Sequence, residues 1–157
     1  MNLSAHFTLE ELVASQTADR RGIDNRPDGE KVAHLRLVAI ILERVRALLE
    51  VPILVSSGYR SPALNTAIGG SPTSVHCLGL AADFTAPQYG APYDVARRIE
   101  ASPIMADLDQ LIYEHTWVHV GLPRPGIMPR QAAMTLASRT GEPARYAAGI
   151  VLQGSVA

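Results

Sequence analysis

Residues 74–83 of this 157-residue chain read S-V-H-C-L-G-L-A-A-D, with an imidazole at His76 and a carboxylate at Asp83 seven positions on. Small and apolar residues stand between them, a composition suited to burial. A buried imidazole and a buried carboxylate both require partners. Together they are two-thirds of a zinc site: zinc accepts imidazole nitrogen and carboxylate oxygen, and a catalytic centre uses three protein ligands and leaves a fourth position for water. The third ligand is open among His6, His34, His115 and His119. His6 precedes the first helix, and His34 falls on the polar side of the longest helical pattern. His119 sits in W-V-H-V (117–120), a short strand and hence a rigid platform for a ligand. A lone histidine in an apolar strand is more often a hydrogen-bonded core residue, so spacing alone does not establish a metal. Two histidines and one carboxylate also suit iron.

The elements that must position these groups follow from local signals. Thr8-Leu9-Glu10-Glu11 reads as a capping box opening a short helix over 9–15. Residues 16–29 are polar and turn-rich and read as a loop. Val32, Leu35, Val38, Leu42, Val45 and Leu49 recur at threes and fours, predicting a helix over 30–49 that Pro52 ends. The β-branched run 53–57 predicts a buried strand, 58–61 a turn, 62–67 a helical turn and 69–73 a Gly/Pro loop. A second strand is expected over 80–84, a surface helix over 92–101, and short strands over 108–113 and 117–121. Residues 131–138 and 145–152 are expected to pair as a terminal hairpin around Thr140-Gly141-Glu142-Pro143. The layout is α+β, a small antiparallel sheet with helices packed on it, in one domain spanning 1–157.

Bulk composition narrows the function classes. The net charge is −1, with 47% hydrophobic and 18% charged residues, so no basic field calls for nucleic acid or anionic lipid. Cys77 is the only cysteine, which rules out an intrachain disulfide. The opening M-N-L-S-A-H-F-T-L-E-E-L has neither a charged n-region nor an unbroken apolar h-region, so no signal peptide is expected. The longest apolar run, 37–42, is too short to span a bilayer. Synthesis in the cytoplasm, no membrane partner and a monomer are the expectations.

Four strings occur in order: S-S-G-Y-R-S-P (56–62), L-N-x3-G-G-S (64–71), S-x-H-x2-G-x-A-x-D (74–83) and W-V-H-V (117–120). With the opening F-T-L-E-E-L-V-A-S-Q-T-A (7–18) and G-I-D-N-R-P (22–27), they resemble the zinc D-alanyl-D-alanine carboxypeptidase superfamily. That superfamily includes VanX-type dipeptidases and phage endolysin peptidases, and the Hedgehog signalling domain shares its fold. The likeness is strongest to small phage and prophage members and covers nearly the whole chain. It implies that His76, Asp83 and His119 bind zinc, that Arg60 polarises the scissile carbonyl or holds its oxyanion, and that Ser74 hydrogen-bonds substrate. Gly79 and Ala81 are then small because the chain passes tightly between two ligands. The implied substrate is a peptidoglycan stem peptide, cut at a D-Ala-D-Ala or L-Ala-D-Glu bond, by an enzyme that reaches the wall after release or as a virion component. Carboxypeptidase and endopeptidase action both stay open.

The general base departs from the pattern of many relatives, which carry an acid three positions before the last histidine. Thr116 stands there, and a threonine does no acid–base work at neutral pH. Glu114 and His115 are the nearest alternatives. A continuous strand over 109–120 puts His115 on the face of His119. A two-residue loop at His115-Thr116 instead pairs Glu114 with Trp117, on the face of His119. The polar E-H-T break favours the hairpin and therefore Glu114, although His-Thr is not a preferred two-residue turn. Glu114 would take a proton from water and deliver it to the leaving amine. Tyr59 and Trp117 are candidates for the cleft wall, against the more common core role of aromatics near a small sheet. Cys77 reads as core packing and Asp109 as a cap at a strand entry. Two other classes compete: a non-catalytic zinc module that binds peptidoglycan, and a phage tail structural protein using the fold as a scaffold.

Overall fold

The computed structural model describes residues 1–138 and 144–152. Helix α1 (Leu9–Val13) starts at Thr8, whose hydroxyl accepts from the Glu11 amide. The expected loop after it holds a second helix, α2 (Gln16–Arg21), capped by the Ser15 hydroxyl and closed by Gly22 at φ 62°. Its polar surface hid it: Ala18 is the buried residue of this helix, too little for a periodic signal.

Helix α3 (Gly29–Leu49) is the long element, with Asp28 accepting from the Lys31 amide at its start. Leu35, Val38, Leu42, Val45 and Leu49 are buried, as the periodicity predicts. The helix stops before Pro52 acts, because Glu50 turns left-handed at φ 56°. His34 is half-buried rather than on a free polar face, and its Nδ1 lies 2.7 Å from the Leu78 carbonyl.

Six strands form one sheet in the order β1-β2-β4-β3-β5-β6. They are β1 (Leu54–Ser57), β2 (Ala81–Thr85), β3 (Gln110–Tyr113), β4 (Val118–Gly121), β5 (Ala132–Ser138) and β6 (Arg145–Ala148). The sheet is mostly antiparallel, but β5 runs parallel to β3, because the chain crosses back before β5 begins. The run expected as a buried strand is an edge: β1 pairs with β2 alone, and Leu54 is 58% exposed. β2 and β4 are the buried central strands instead. The terminal hairpin pairs as expected, but its second arm ends at Ala148. Gly149 (φ 80°) leaves the ladder there, donating to the Ala133 carbonyl and accepting from the Thr135 hydroxyl. The turn expected at 140–143 lies outside the described residues.

The two faces of the sheet have opposite chemistry. Ala82, Phe84, Leu111, Tyr113, Val118 and Val120 point into the core with α3 and with α5 (Pro92–Glu100), which buries Val95, Ala96 and Ile99. Each large apolar side chain buried there contributes about 1.5–3 kcal/mol. On the opposite face, one row of register partners crosses the sheet: Ser57, Asp83, His119, Ile112, Met134 and Ala148. Strand alternation thus sends the apolar set to the helices and the ligand candidates to the other side. α4 (Pro62–Ala67) and a 3-10 turn at Val75–Leu78 frame that side.

Candidate metal centre

His76 sits in the Val75–Leu78 turn. The Ser74 hydroxyl caps this turn by accepting from the His76 amide at 3.3 Å. Gly79 closes it at φ 70°, and a Cβ there would lie 2.8 Å from the Lys31 carbonyl oxygen. Gly79 is therefore required by a left-handed turn against α3, rather than by passage between two ligands. The His76 ring is 2% exposed, and its Nδ1–H donates to the Gly58 carbonyl at 2.6 Å. The Arg60 amide donates back to the His76 carbonyl at 3.2 Å. The S-G-Y-R and S-x-H strings are thus two sides of one interlock.

Asp83 and His119 stand opposite each other on β2 and β4. His119 Nδ1 lies 2.8 Å from Asp83 Oδ1, and His76 Nε2 lies 3.2 Å from the same oxygen. The far nitrogen of His119, Nε2, donates to Gln110 Oε1 at 3.2 Å. Gly121 leaves room for that contact, since a Cβ there would sit 3.1 Å from the amide oxygen. Each histidine has therefore committed its remote N–H to a carbonyl oxygen. The two remaining ring nitrogens, His76 Nε2 and His119 Nδ1, both face the Asp83 carboxylate, with one ligand atom from each residue lying within 4.8 Å of the others. Remote N–H donation of this kind orients histidines that bind metals.

Electrostatics favour the ligand forms. Burial pushes the His76 pKa down, toward the neutral imidazole that a metal takes. Burial pushes the Asp83 carboxyl up, but its charge and hydrogen-bond interactions with His76 and His119 outweigh this and hold it well below the usual carboxylate range.

The β3–β4 connection is the expected hairpin. The Glu114 amide donates to the Trp117 carbonyl at 3.1 Å, and His115 takes the left-handed conformation (φ 67°) that an unfavoured His-Thr turn requires. Glu114 and Trp117 consequently line the hollow that holds His76, Asp83 and His119. His115 goes elsewhere: its Nε2 meets the Leu136 carbonyl at 2.6 Å and its ring packs on Tyr113. Thr116 is exposed at the hairpin tip. Arg60 and Ser74 line the same hollow, 3.4 Å apart from guanidinium to hydroxyl. Tyr59 is 7% exposed and part of the core, touching the cleft only as a wall of the adjoining hollow. Cys77 is half-buried. Asp109 Oδ1 accepts from the Arg130 backbone amide just ahead of β5, and both carboxylate oxygens are held by the Arg130 guanidinium.

A family model described as Peptidase M15 matches residues 5–121. The chain belongs to the peptidase M15 family. No curated protein matches the chain at a significant level. The M15 match takes in His76, Asp83, His119, Arg60, Ser74 and Glu114, and it stops where β4 ends. M15 peptidases are zinc-dependent metallopeptidases, and the residues present fit that metal. Two imidazole nitrogens and one carboxylate converge, and the remote nitrogen of each histidine is already held by a carbonyl oxygen, as a three-ligand zinc site requires.

Three supporting residues of this M15 site escaped the sequence. Gln110 orients His119, and only the β3–β4 register, which pairs it with Gly121, points to it. Asn25, in the G-I-D-N-R-P string, donates to the carbonyls of Val13 and Tyr59 and accepts from the Ser61 amide, tying the segment around Arg60 to the N-terminal helices. Asn65 donates to the Ser71 carbonyl and fills the space beside Gly70, where a Cβ would lie 2.0 Å from its side-chain oxygen.

Proposed function

We propose that this M15 peptidase hydrolyses a peptide bond of bacterial peptidoglycan stem peptides, of the D-Ala-D-Ala or L-Ala-D-Glu type, in an endolysin-like role for a phage or prophage. The observation that carries the reading is the pair of histidines with both remote N–H groups engaged, so that their other ring nitrogens converge with Asp83 beside an open cleft. His76, Asp83 and His119 would hold zinc, which supplies a Lewis acid that polarises a carbonyl and makes water nucleophilic at neutral pH.

The chain's own groups do the rest. Glu114, just past the end of β3 and lining the cleft, accepts the proton of the attacking water at its carboxylate and returns it to the departing amine nitrogen. The Arg60 guanidinium, steadied by Ser74, donates to the oxygen that gains charge as the carbonyl becomes tetrahedral. Trp117 lines both hollows and offers an aromatic wall to the peptide. The enzyme acts on the cell wall after release from the cytoplasm or from a virion.

The departure at Thr116 favours a second reading, a zinc-containing module that binds peptidoglycan without cutting it. Metal content and amine release, measured together on wild type and His119→Ala, separate the two. About one zinc per chain with amine release, both lost in the variant, supports the peptidase. Zinc without release on any peptidoglycan supports the binding module.

A further inference from the structure

The cleft does not end at the ligands. Two hollows, of about 630 and 1050 Å³, adjoin each other and share Arg60, Ile68, Asp83 and Trp117, so Asp83 lies at their junction while His76 and His119 line the larger. A peptide seated there continues on both sides of its reacting carbonyl.

The two arms differ in chemistry. The larger runs over β3, β5 and β6, where Ile112, Met134 and Tyr146 give it an apolar floor. Its rim cation, Arg130, is already taken by Asp109: both carboxylate oxygens are held, at 3.0 and 2.7 Å. The smaller arm runs over β1 and α2, with the hydroxyls of Ser15, Thr17, Ser56 and Ser57 and the guanidinium groups of Arg20 and Arg60. Arg20 is exposed, and among the described residues it makes no ion pair. The carboxylate of nearby Asp24 is occupied by Arg26, and Asp83 is the one acid lining this arm. The neighbouring Arg21 reaches the Ala67 carbonyl at 3.5 Å and so ties α2 to α4, placing Arg20 over the groove.

We infer that Arg20 is a carboxylate-reading subsite: the substrate lies across the metal centre with an anionic group seated in the α2 arm. This rests on the peptidase reading for its substrate class. Stem peptides offer two such carboxylates, the C-terminal one and the α-carboxylate of the γ-linked glutamate. A guanidinium held over a polar groove recognises either.

The test uses the zinc-loaded full chain, wild type and Arg20→Gln and Arg20→Lys variants. Three synthetic probes serve: a stem pentapeptide, its C-terminal amide, and the same peptide amidated at the glutamate α-carboxylate. For the free pentapeptide, Arg20→Gln should raise KM about fivefold with kcat unchanged, the size of an exposed charge contact of about 1 kcal/mol. Arg20→Lys should recover part of this, and high salt should shrink the difference. One amidated probe should bind wild type as weakly as the free peptide binds the variant, and should be indifferent to the substitution; that probe identifies the carboxylate. Equal losses on all three probes, or no change on any, overturn the subsite. If wild type cleaves none of the probes, calorimetric binding of the same three decides. A charge-dependent loss in Arg20→Gln keeps the subsite while the peptidase reading falls, and an absence of binding sinks both.

Discussion

Asp83 and His119 face each other across β2 and β4, 2.8 Å apart from carboxylate to imidazole. Neither position is set by a loop. Both follow from the hydrogen-bonded register of the two most buried strands, and His76 is brought to them by the carbonyl of Gly58. The cluster is therefore built before metal binds, and zinc should stabilise a chain that already folds. Saturating zinc should raise the melting temperature of wild type, by about 2.7 kcal/mol of stability at a hundredfold excess over Kd, and should do nothing for His119→Ala. Calorimetric melting with and without chelator checks this; complete unfolding in chelator would show a fold that depends on its metal.

Gln110 should matter through His119 alone. Gln110→Ala should weaken zinc binding about 10- to 100-fold while leaving secondary structure intact. Competition against a chromophoric chelator gives the affinity, and circular dichroism the fold. An unchanged affinity would mean that β4 alone fixes the imidazole.

Glu114→Gln keeps the shape of the side chain and removes its basicity. Peptide hydrolysis should fall by about 10²–10⁴-fold with zinc content unchanged. His115→Ala should reduce turnover far less, because its ring is held at the Leu136 carbonyl, away from the cleft. The reverse ranking would transfer the role of base to His115.

Acid should loosen the fold in a defined direction. Burial lowers the His76 pKa, so between that value and the ordinary value near 6.5 the unfolded chain binds more protons than the folded one. The contribution is complete above about pH 6.5 and is lost as pH falls through the folded value. Asp83, also lowered, acts with the same sign further down, contributing above about pH 3.9 and fading below it. Urea midpoints of metal-free protein should be lower at pH 5.5 than at pH 7.5, and a flat profile would contradict a neutral buried His76.

Gly79→Ala should destabilise the chain by about 1–3 kcal/mol, since it combines a left-handed backbone with a contact 2.8 Å from the Lys31 carbonyl. Gly22→Ala carries the conformational cost without the collision, because nothing lies within 4 Å of its Cβ position, and should cost less. Chemical denaturation of the two variants side by side gives the ranking.

The parts of the fold legible in the sequence were those with a strong local signal. The stripe from Leu35 to Leu49 announced α3, and the polar break at Glu114-His115-Thr116 announced the hairpin that turns Glu114 toward the ligands. Helix α2 was illegible because it buries little and its evidence is two caps, Ser15 and Gly22, around a polar segment. The edge position of β1 was illegible because a β-branched run looks alike whether one face or both are covered, and only the strand order distinguishes them. Motif resemblance names His76, Asp83 and His119 as the candidate ligands, and the fold brings these three together. Gln110 and the Gly58 carbonyl were not, since a supporting contact made through strand register or a backbone oxygen leaves no residue pattern of its own.

The order of strands separates the chemistry from its surroundings. His76, Asp83, His119, Gln110, Glu114 and Arg60 all belong to the portion that ends with β4, while β5 and β6 are laid against the free edge of β3. Met134 and Tyr146, on those two outer strands, line the cleft from outside the β2–β4 pair that aligns Asp83 with His119. Substitution at either is a handle on selectivity that leaves the facing carboxylate and imidazole where they are.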